Sequence, residues 1–241
     1  MPKTNAMGSF WDTKARENAM WYIHNLLDYC HPDEEEFWLS GPVNLDQTLA
    51  PFGRGIGPED TVVEIGCGIG RMTRALATRA ARVTGIDVSA EMVDRARLAL
   101  RDLPNVHLLV GNGRDLGDVA DGSADVVHSF IVFQHIPDPA ITYAYVREIG
   151  RVLRPGGWTV FQVSERPEIH RSGAWRSERT VTAGIGKTLR RRPRRVLNPH
   201  WLGSAVDRAE LLQAIGDGGL VFDATVGDGS QFCLVHAHRP G

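Results

Sequence analysis

Apolar positions recur at helical spacing near the start of the chain. Between residues 15 and 29, Ala19, Ile23, Leu26 and Leu27 fall on one helical face, so a helix is predicted there. His31-Pro32 should interrupt it. The acidic run Asp33 to Glu36 suits the N-terminus of a second helix. Residues 44–52 read as a third, short helix and 53–58 as a loop. From Thr61 the pattern changes, and short β-branched runs alternate with helical stretches. Strands are predicted over 61–65, 82–86, 106–110, 125–130 and 159–163, with helices over 71–79, 90–100 and 140–153. Ser89 is the expected N-cap of the helix after the second strand. Arg154-Pro155-Gly156-Gly157 is expected to turn into the fifth strand. This order predicts a parallel sheet with helices on both faces. Near the end, Asp207 with Glu210 resembles a capping box opening a helix that stops near Gly216. Residues 221–226 and 232–237 then read as strands joined by GDGSQ, which would close the sheet with an antiparallel pair.

Composition narrows the picture. The chain has 241 residues, 42% of them apolar, which suits one domain with a sizeable core. A net charge of −2 gives no overall basic field, so nucleic acid is a disfavoured partner. The three cysteines, Cys30, Cys67 and Cys233, are widely spaced without a CxxC pair, which argues against a disulfide framework and a cysteine zinc site. No acidic cluster has metal-site spacing, and no metal is expected. No secretory signal is read at the N-terminus, and no run approaches the about 20 apolar residues of a membrane helix. The expected compartment is the cytoplasm.

The stretch TVVEIGCGIGRMT, residues 61–73, carries the first chemical signal. Gly66, Gly68 and Gly70 lie between the first strand and its helix, where ligands bind in open α/β sheets. Glycine there lets backbone approach a ligand closely. The spacing is G-x-G-x-G, with Arg71 where a dinucleotide fingerprint has its third glycine. Glu64 stands two residues before the first glycine, where it would repel a pyrophosphate and favour a cationic group. Both features point to a nucleoside without phosphates. Asp87, ending the second strand, can accept hydrogen bonds from ribose hydroxyls.

VVEIGCGIGRMT, GIDVS, VGNGRDL, ADVVHSFIVFQHIPD and LRPGGWTVFQV, in this order, resemble the class I S-adenosylmethionine-dependent methyltransferases of the small, UbiE-like type 11 kind. The resemblance covers about residues 59–165. It implies a Rossmann-like, doubly wound, mostly parallel α/β sheet with an antiparallel last strand and a helical N-terminal cover. It also implies S-adenosyl-L-methionine as cofactor. Glu64, Gly66 and Gly68 would line its methionine end, with Cys67 a small residue of the same loop and not a nucleophile. Asp87 would hold the ribose and Val88 pack on the adenine. Gly113 and Arg114 would flank the adenine, and Asn112 stands where the family usually has Asp. Ser129 and Phe130 would face the methionine portion and the transferring methyl.

His135, in FQHIPD, follows the fourth strand near that methyl and is the best-placed general base among nine histidines. A structural histidine bonded to backbone is the alternative. Asp138 is a weaker base candidate or a helix cap. The segment after the fourth strand lacks the Asn/Asp-Pro-Pro-aromatic pattern of base N-methylation, so O-methylation of a small-molecule hydroxyl is the first reading. N-methylation of a small molecule, RNA methylation and a non-catalytic S-adenosylmethionine-binding role stay open as alternatives. Trp21 and Tyr22, on the N-terminal helix with Trp11 and Arg16, are substrate candidates. So are Arg191 and Arg192, in the basic run Lys187 to Arg195 of an insertion over 166–205 that reads as a substrate lid. That run would hold an anionic acceptor or, alternatively, form a solvated basic loop. The division expected is a single domain: cover 1–57, cofactor core 58–165, lid 166–205, last helix and strands 206–241. A homodimer is left open.

Overall fold

The computed structural model describes residues 4–170 and 199–241. Seven strands, β1 (Thr61–Ile65), β2 (Arg82–Asp87), β3 (Val106–Val110), β4 (Ala124–Ser129), β5 (Leu153–Val163), β6 (Val221–Val226) and β7 (Cys233–His238), form one sheet in the order β3-β2-β1-β4-β5-β7-β6. The first five are parallel, and β7 is antiparallel to both of its neighbours. The helices are α1 (Thr4–Ile23), α2 (Glu34–Leu49), α3 (Arg71–Ala77), α4 (Ala90–Ala99), α5 (Pro139–Val152), α6 (Pro199–Leu202) and α7 (Arg208–Asp217).

Strand alternation sorts the core into two layers. Val63, Ile65, Val127, Phe161 and Val235 pack with α5 and α7 in one cluster. Their neighbours Val62, Val126 and Val160 pack with Leu45 and Leu49 of α2 and Leu76 of α3 in another. Successive strand residues point to opposite faces, so both faces of the sheet are covered. A third cluster joins α1 to Phe37, Ile69 and Met92. Strand order reverses between β1 and β4, which puts a crevice at their carboxyl ends.

Several boundaries differ from the sequence expectation. The first helix begins at Thr4 and ends at Ile23, so Leu26 lies beyond it and is 60% exposed. It is kinked at Asn18 (φ −169°, ψ 84°), whose Oδ1 accepts the Trp21 amide and recaps the second half. The second and third predicted helices are one: α2 runs through Gly41-Pro42, with Asp33 accepting from the Glu36 amide at its start. Gly41 is fixed by packing, since a Cβ there would lie 2.4 Å from the Arg71 carbonyl oxygen. The expected turn at 154–157 is the start of β5. Gly156 donates to the Arg239 carbonyl and Arg239 donates to that of Gly157, which hold it in the sheet. The remaining ends agree within two residues. Ser89 caps α4 by accepting from the Met92 amide, and Asp207 caps α7 by accepting from Ala209 and Glu210.

No helix among the described residues is long and apolar enough to cross a membrane. The expected lid is described only at its ends, as a 3-10 turn (Pro167–His170) and α6. Arg191, Arg192 and the whole run 187–195 lie outside the described residues.

Candidate functional site

A cavity opens at the β1–β4 reversal, floored by the glycine loop and roofed by α1. The glycines hold left-handed backbone, with φ +76° at Gly66, +54° at Gly68 and +92° at Gly70. Gly66 and Cys67 amides both donate to the Ile86 carbonyl, which tucks the loop under the end of β2. Asp87 ties this loop to the next element. Its Oδ2 accepts from the Gly68 amide at 2.9 Å and its Oδ1 from the Ser89 amide at 2.9 Å. Burial raises its pKa, while those backbone donors oppose the rise.

Glu64 reaches the same cavity from β1 and is 4% exposed. The Thr73 hydroxyl donates to it at 2.5 Å. Burial pushes its pKa up to about 7, against the Thr73 bond and the nearby Arg71 charge. Arg71, at the start of α3, also borders the cavity. Its Nη1 donates to Ser40 Oγ at 3.0 Å and to Asn44 Oδ1 at 2.6 Å. The loop's Cys67 thiol is buried and its pKa is raised by desolvation, which keeps it unreactive.

The roof is held from α1. Met7, Trp11 and Tyr22 line the cavity. Asp12 Oδ1 accepts from Ser89 Oγ at 2.6 Å and from the Glu91 amide at 3.0 Å, clamping α1 on the start of α4. Gly8 is pressed on Val88, where a Cβ would sit 2.9 Å from the Val88 carbonyl oxygen. Gly113, at φ +74°, lies beneath Met7 and beside Val88.

The far end belongs to the segment after β4. His135 Nδ1 lies 3.1 Å from the Trp201 carbonyl oxygen. A carbonyl only accepts, so Nδ1 carries the proton and Nε2 keeps its lone pair. Gln134 Nε2 stands 3.3 Å from that atom. Gln162, fully buried, donates to Gln134 Oε1 and accepts the Ile131 amide at 3.1 Å. Ile131 lines the cavity with φ +57°, a β-branched residue in left-handed backbone, and the Gln162 bond steadies this strained turn. The His135 ring stacks on Trp201 (5.3 Å, 26°) and meets the edge of Trp11 (5.6 Å, 75°). Burial lowers its pKa to about 4.

Most of the predicted site residues converge. Glu64, Gly66, Cys67, Gly68, Asp87, Val88, Phe130, His135 and Tyr22 all line the one cavity. Others do not reach it. Ser129 is buried and donates to the Ile65 carbonyl. Asn112 and Arg114 are exposed, and Asn112 Oδ1 accepts the Arg114 and Asp115 amides in a local turn. Trp21 stacks on Trp201 from behind. Asp138 caps α5 by accepting from Ala140. Trp201 was not anticipated: a single aromatic near the end of a long insertion carries no periodic or motif signal. Glu165, Asp228 and Cys233 bring possible metal-ligand atoms together, and the Arg208 guanidinium sits on the two acids at 3.1 and 2.8 Å.

The sequence family described as a methyltransferase domain (type 11) matches residues 63–161, the span that builds β1 to β5 and the cavity floor. Over that span the chain is similar to methyltransferase domains. Among curated relatives, the chain is 37% identical over 117 residues to a ubiquinone biosynthesis O-methyltransferase of Xanthomonas campestris pv. campestris, covering 48% of this chain and 46% of that one. It thus spans less than half the length of that relative. Among solved structures, geranyl diphosphate C-methyltransferase from Streptomyces coelicolor A3(2) aligns with a TM-score of 0.65 at 21% identity, over 99% of this chain and 98% of that one. A phosphoethanolamine N-methyltransferase of Haemonchus contortus aligns with a TM-score of 0.68 at 18% identity, over 99% and 49%. These two likenesses establish the fold.

Proposed function

We propose that this methyltransferase moves a methyl group from S-adenosylmethionine to a hydroxyl of a small-molecule acceptor. The chemistry of the cavity fits the cofactor. Asp87 offers carboxylate lone pairs beside the glycine loop, Val88, Ile86 and Met92 make an apolar wall for a base, and Glu64 offers a buried carboxylate to an ammonium. When bound, S-adenosylmethionine supplies a methyl already activated by its sulfonium, so the protein's tasks are positioning and proton removal.

The observation that carries the O-methylation reading is His135. Its Nδ1 proton is committed to Trp201, and its Nε2 lone pair belongs to a ring that lines the cavity. With a pKa lowered to about 4 by burial, the ring is neutral across the physiological range, and its Nε2 lone pair, faced by the Gln134 amide at 3.3 Å, passes to the acceptor hydroxyl when that group displaces the amide. His135 takes the hydroxyl proton as the acceptor oxygen gains the methyl and the sulfur–carbon bond breaks. It becomes positive in the same step that the sulfonium loses its charge, so the net charge of the buried site is unchanged. Trp11 and Tyr22 give the acceptor an aromatic wall, Trp201 stacks on the His135 ring, and the basic run 187–195 is read as the acceptor's anion anchor. The Xanthomonas relative's name as an O-methyltransferase supports this choice; the C- and N-methyltransferases of the same fold show why fold alone does not make it.

The test is formation of S-adenosylhomocysteine with a panel of phenols, alcohols and amines, for wild type and His135→Ala. The expected result is product from a hydroxylated acceptor, turnover reduced about 10²–10⁴-fold in the variant, and cofactor affinity retained. Unchanged turnover in His135→Ala, or product from amines alone, would overturn the reading.

A further inference from the structure

The segment after β4 is tied into a chain of hydrogen bonds whose direction is fixed at every link. β5 runs past the end of β4: the last residue pair of that ladder is Ser129 with Phe161, and Gln162 comes next. The Ile131 amide, beyond the ladder, donates instead to Gln162 Oε1 at 3.1 Å. Gln162 is fully buried, and its Nε2 donates to the carbonyls of Val163 at 2.7 Å and Gln231 at 2.5 Å. A backbone N–H only donates and a carbonyl only accepts, so these partners tell the two ends of the Gln162 amide apart. The end that meets Gln134 is the donor end, 3.2 Å from Gln134 Oε1. Gln134, 4% exposed, therefore turns its own Nε2 the other way, onto His135 Nε2 at 3.3 Å. At the far side the Trp201 carbonyl holds the His135 Nδ1 proton. The polarity of the ring is thus set twice, once from β5 and once from α6.

We propose that Gln134 and His135 form a two-point reader of the acceptor atom that admits oxygen and rejects nitrogen, with Gln162 as the positioning residue behind it. This rests on the O-methylation reading above. The 3.3 Å contact is longer than the about 2.7–3.2 Å of a well-made hydrogen bond, so an incoming hydroxyl exchanges for it readily. The Gln134 amide then swings about its Gln162 bond and donates to the oxygen that has replaced it. A hydroxyl has one hydrogen and two lone pairs. Its hydrogen goes to His135 Nε2, one lone pair accepts the Gln134 N–H, and the other attacks the methyl carbon. As the oxygen–carbon bond forms, the carbon–sulfur bond breaks, its electron pair stays on sulfur, and the proton passes to His135. A neutral amine has a single lone pair. Committed to Gln134, that pair cannot attack; committed to the methyl, it leaves the Gln134 N–H buried and unpaired. A buried donor without a partner suffers its full desolvation, which corresponds to about 5–150-fold in rate.

The test compares matched acceptors, phenol with aniline and naphthol with naphthylamine, in wild type, Gln134→Met and Gln134→Glu, by S-adenosylhomocysteine formation and by nitrogen NMR of His135. Wild type should favour the hydroxyl of each pair by about 5–150-fold in kcat/KM. Gln134→Met keeps the length and removes the amide, and it should bring each pair within about threefold, chiefly by a gain on the amine. A purely structural residue would lose activity on both, so the gain is the discriminating sign. Gln134→Glu sets a carboxylate against Nε2, which favours the charged ring; His135 should then be protonated at neutral pH and transfer to the hydroxyls should be lost. In the wild-type S-adenosylhomocysteine complex, naphthol should shift the His135 Nε2 signal and naphthylamine should not. Wild-type ratios in Gln134→Met, an unmoved His135 titration in Gln134→Glu, or a wild-type Nε2 signal that naphthol leaves in place each overturns the inference. If neither variant folds, the wild-type rates and NMR response still decide. Wild-type turnover in His135→Ala sinks the O-methylation reading itself, whereas lost turnover there beside unchanged ratios in Gln134→Met sinks the reader alone.

Discussion

Asp87→Ala separates what this carboxylate does for the loop from what it does for a ligand. In the absence of ligand its two oxygens accept the Gly68 and Ser89 amides, both at 2.9 Å. Hydrogen bonds to a charged acceptor contribute about 1.5–3 kcal/mol each, so the pair is worth roughly 3–6 kcal/mol. The burial that raises the Asp87 pKa opposes this, and the lower end, about 3 kcal/mol, is the reasoned figure. For a domain of this size 1 kcal/mol moves Tm by about 2–4 °C, so ligand-free Asp87→Ala should melt about 6–12 °C below wild type. A carboxylate has about four lone-pair sites, and two remain for ribose hydroxyls. Losing those adds about 10–100-fold to the Kd for S-adenosylhomocysteine. Asp87→Asn keeps one oxygen acceptor and should show about half the melting shift. Differential scanning calorimetry without ligand and isothermal titration with it measure the two parts. A ligand-free Tm within about 2 °C of wild type refutes the loop energetics. A lowered Tm with unchanged affinity refutes the ribose contact alone.

Gly66→Ala places a Cβ 2.1 Å from Val132 Cγ2 at a residue with φ +76°, which should cost about 1–2 kcal/mol of backbone strain and about 1–3 of overpacking. Adding Val132→Ala should recover only the packing part in urea titrations, and a total cost under about 1 kcal/mol contradicts the geometry. Affinity for S-adenosylhomocysteine should fall as pH drops below about 7, because Glu64 must ionise to hold an ammonium and burial pushes its carboxyl up to about 7. The sign for folding is opposite: a raised carboxyl pKa favours the ligand-free fold at low pH, and that contribution fades as pH rises from 4.5 through about 7. Glu64→Gln should flatten the affinity profile; an unchanged profile in the variant assigns it to another group. In pH–rate work His135 should give no inflection between about pH 6 and 7, since its ring is neutral there.

The strands and their order were legible because β-branched runs, glycine turns and an N-cap at Ser89 agree with one another from Thr61 onward. The floor of the site, Glu64 to Gly68 and Asp87 to Val88, was legible for the same reason: it sits at strand ends, where register follows from the strands themselves. The roof was not. Trp201 joins His135 from 66 residues away, and nothing in its local sequence encodes that contact. The fused second helix escaped because its continuity depends on packing: Gly41 sits against the Arg71 backbone, and α2 runs on through Pro42. Asn112 Oδ1 turns onto the Arg114 and Asp115 amides, a local preference of Asn in turns that its place in the sequence did not signal.

The place of β7 in the sheet bears on how the chain is made. β6 leaves the ribosome first, yet it does not touch β5; β7 comes between them. During synthesis the edge of β5, with Phe161 and Val163 behind it, therefore stays open until residues 233–238 emerge. The core can assemble from β1 to β5 beforehand, but it does so with an unpaired, apolar strand edge, the kind of surface that invites pairing with another chain. A chain stopped just before Cys233 would keep every residue of the glycine loop and still be prone to aggregate, so the last six-residue strand acts as the seal on the nascent domain.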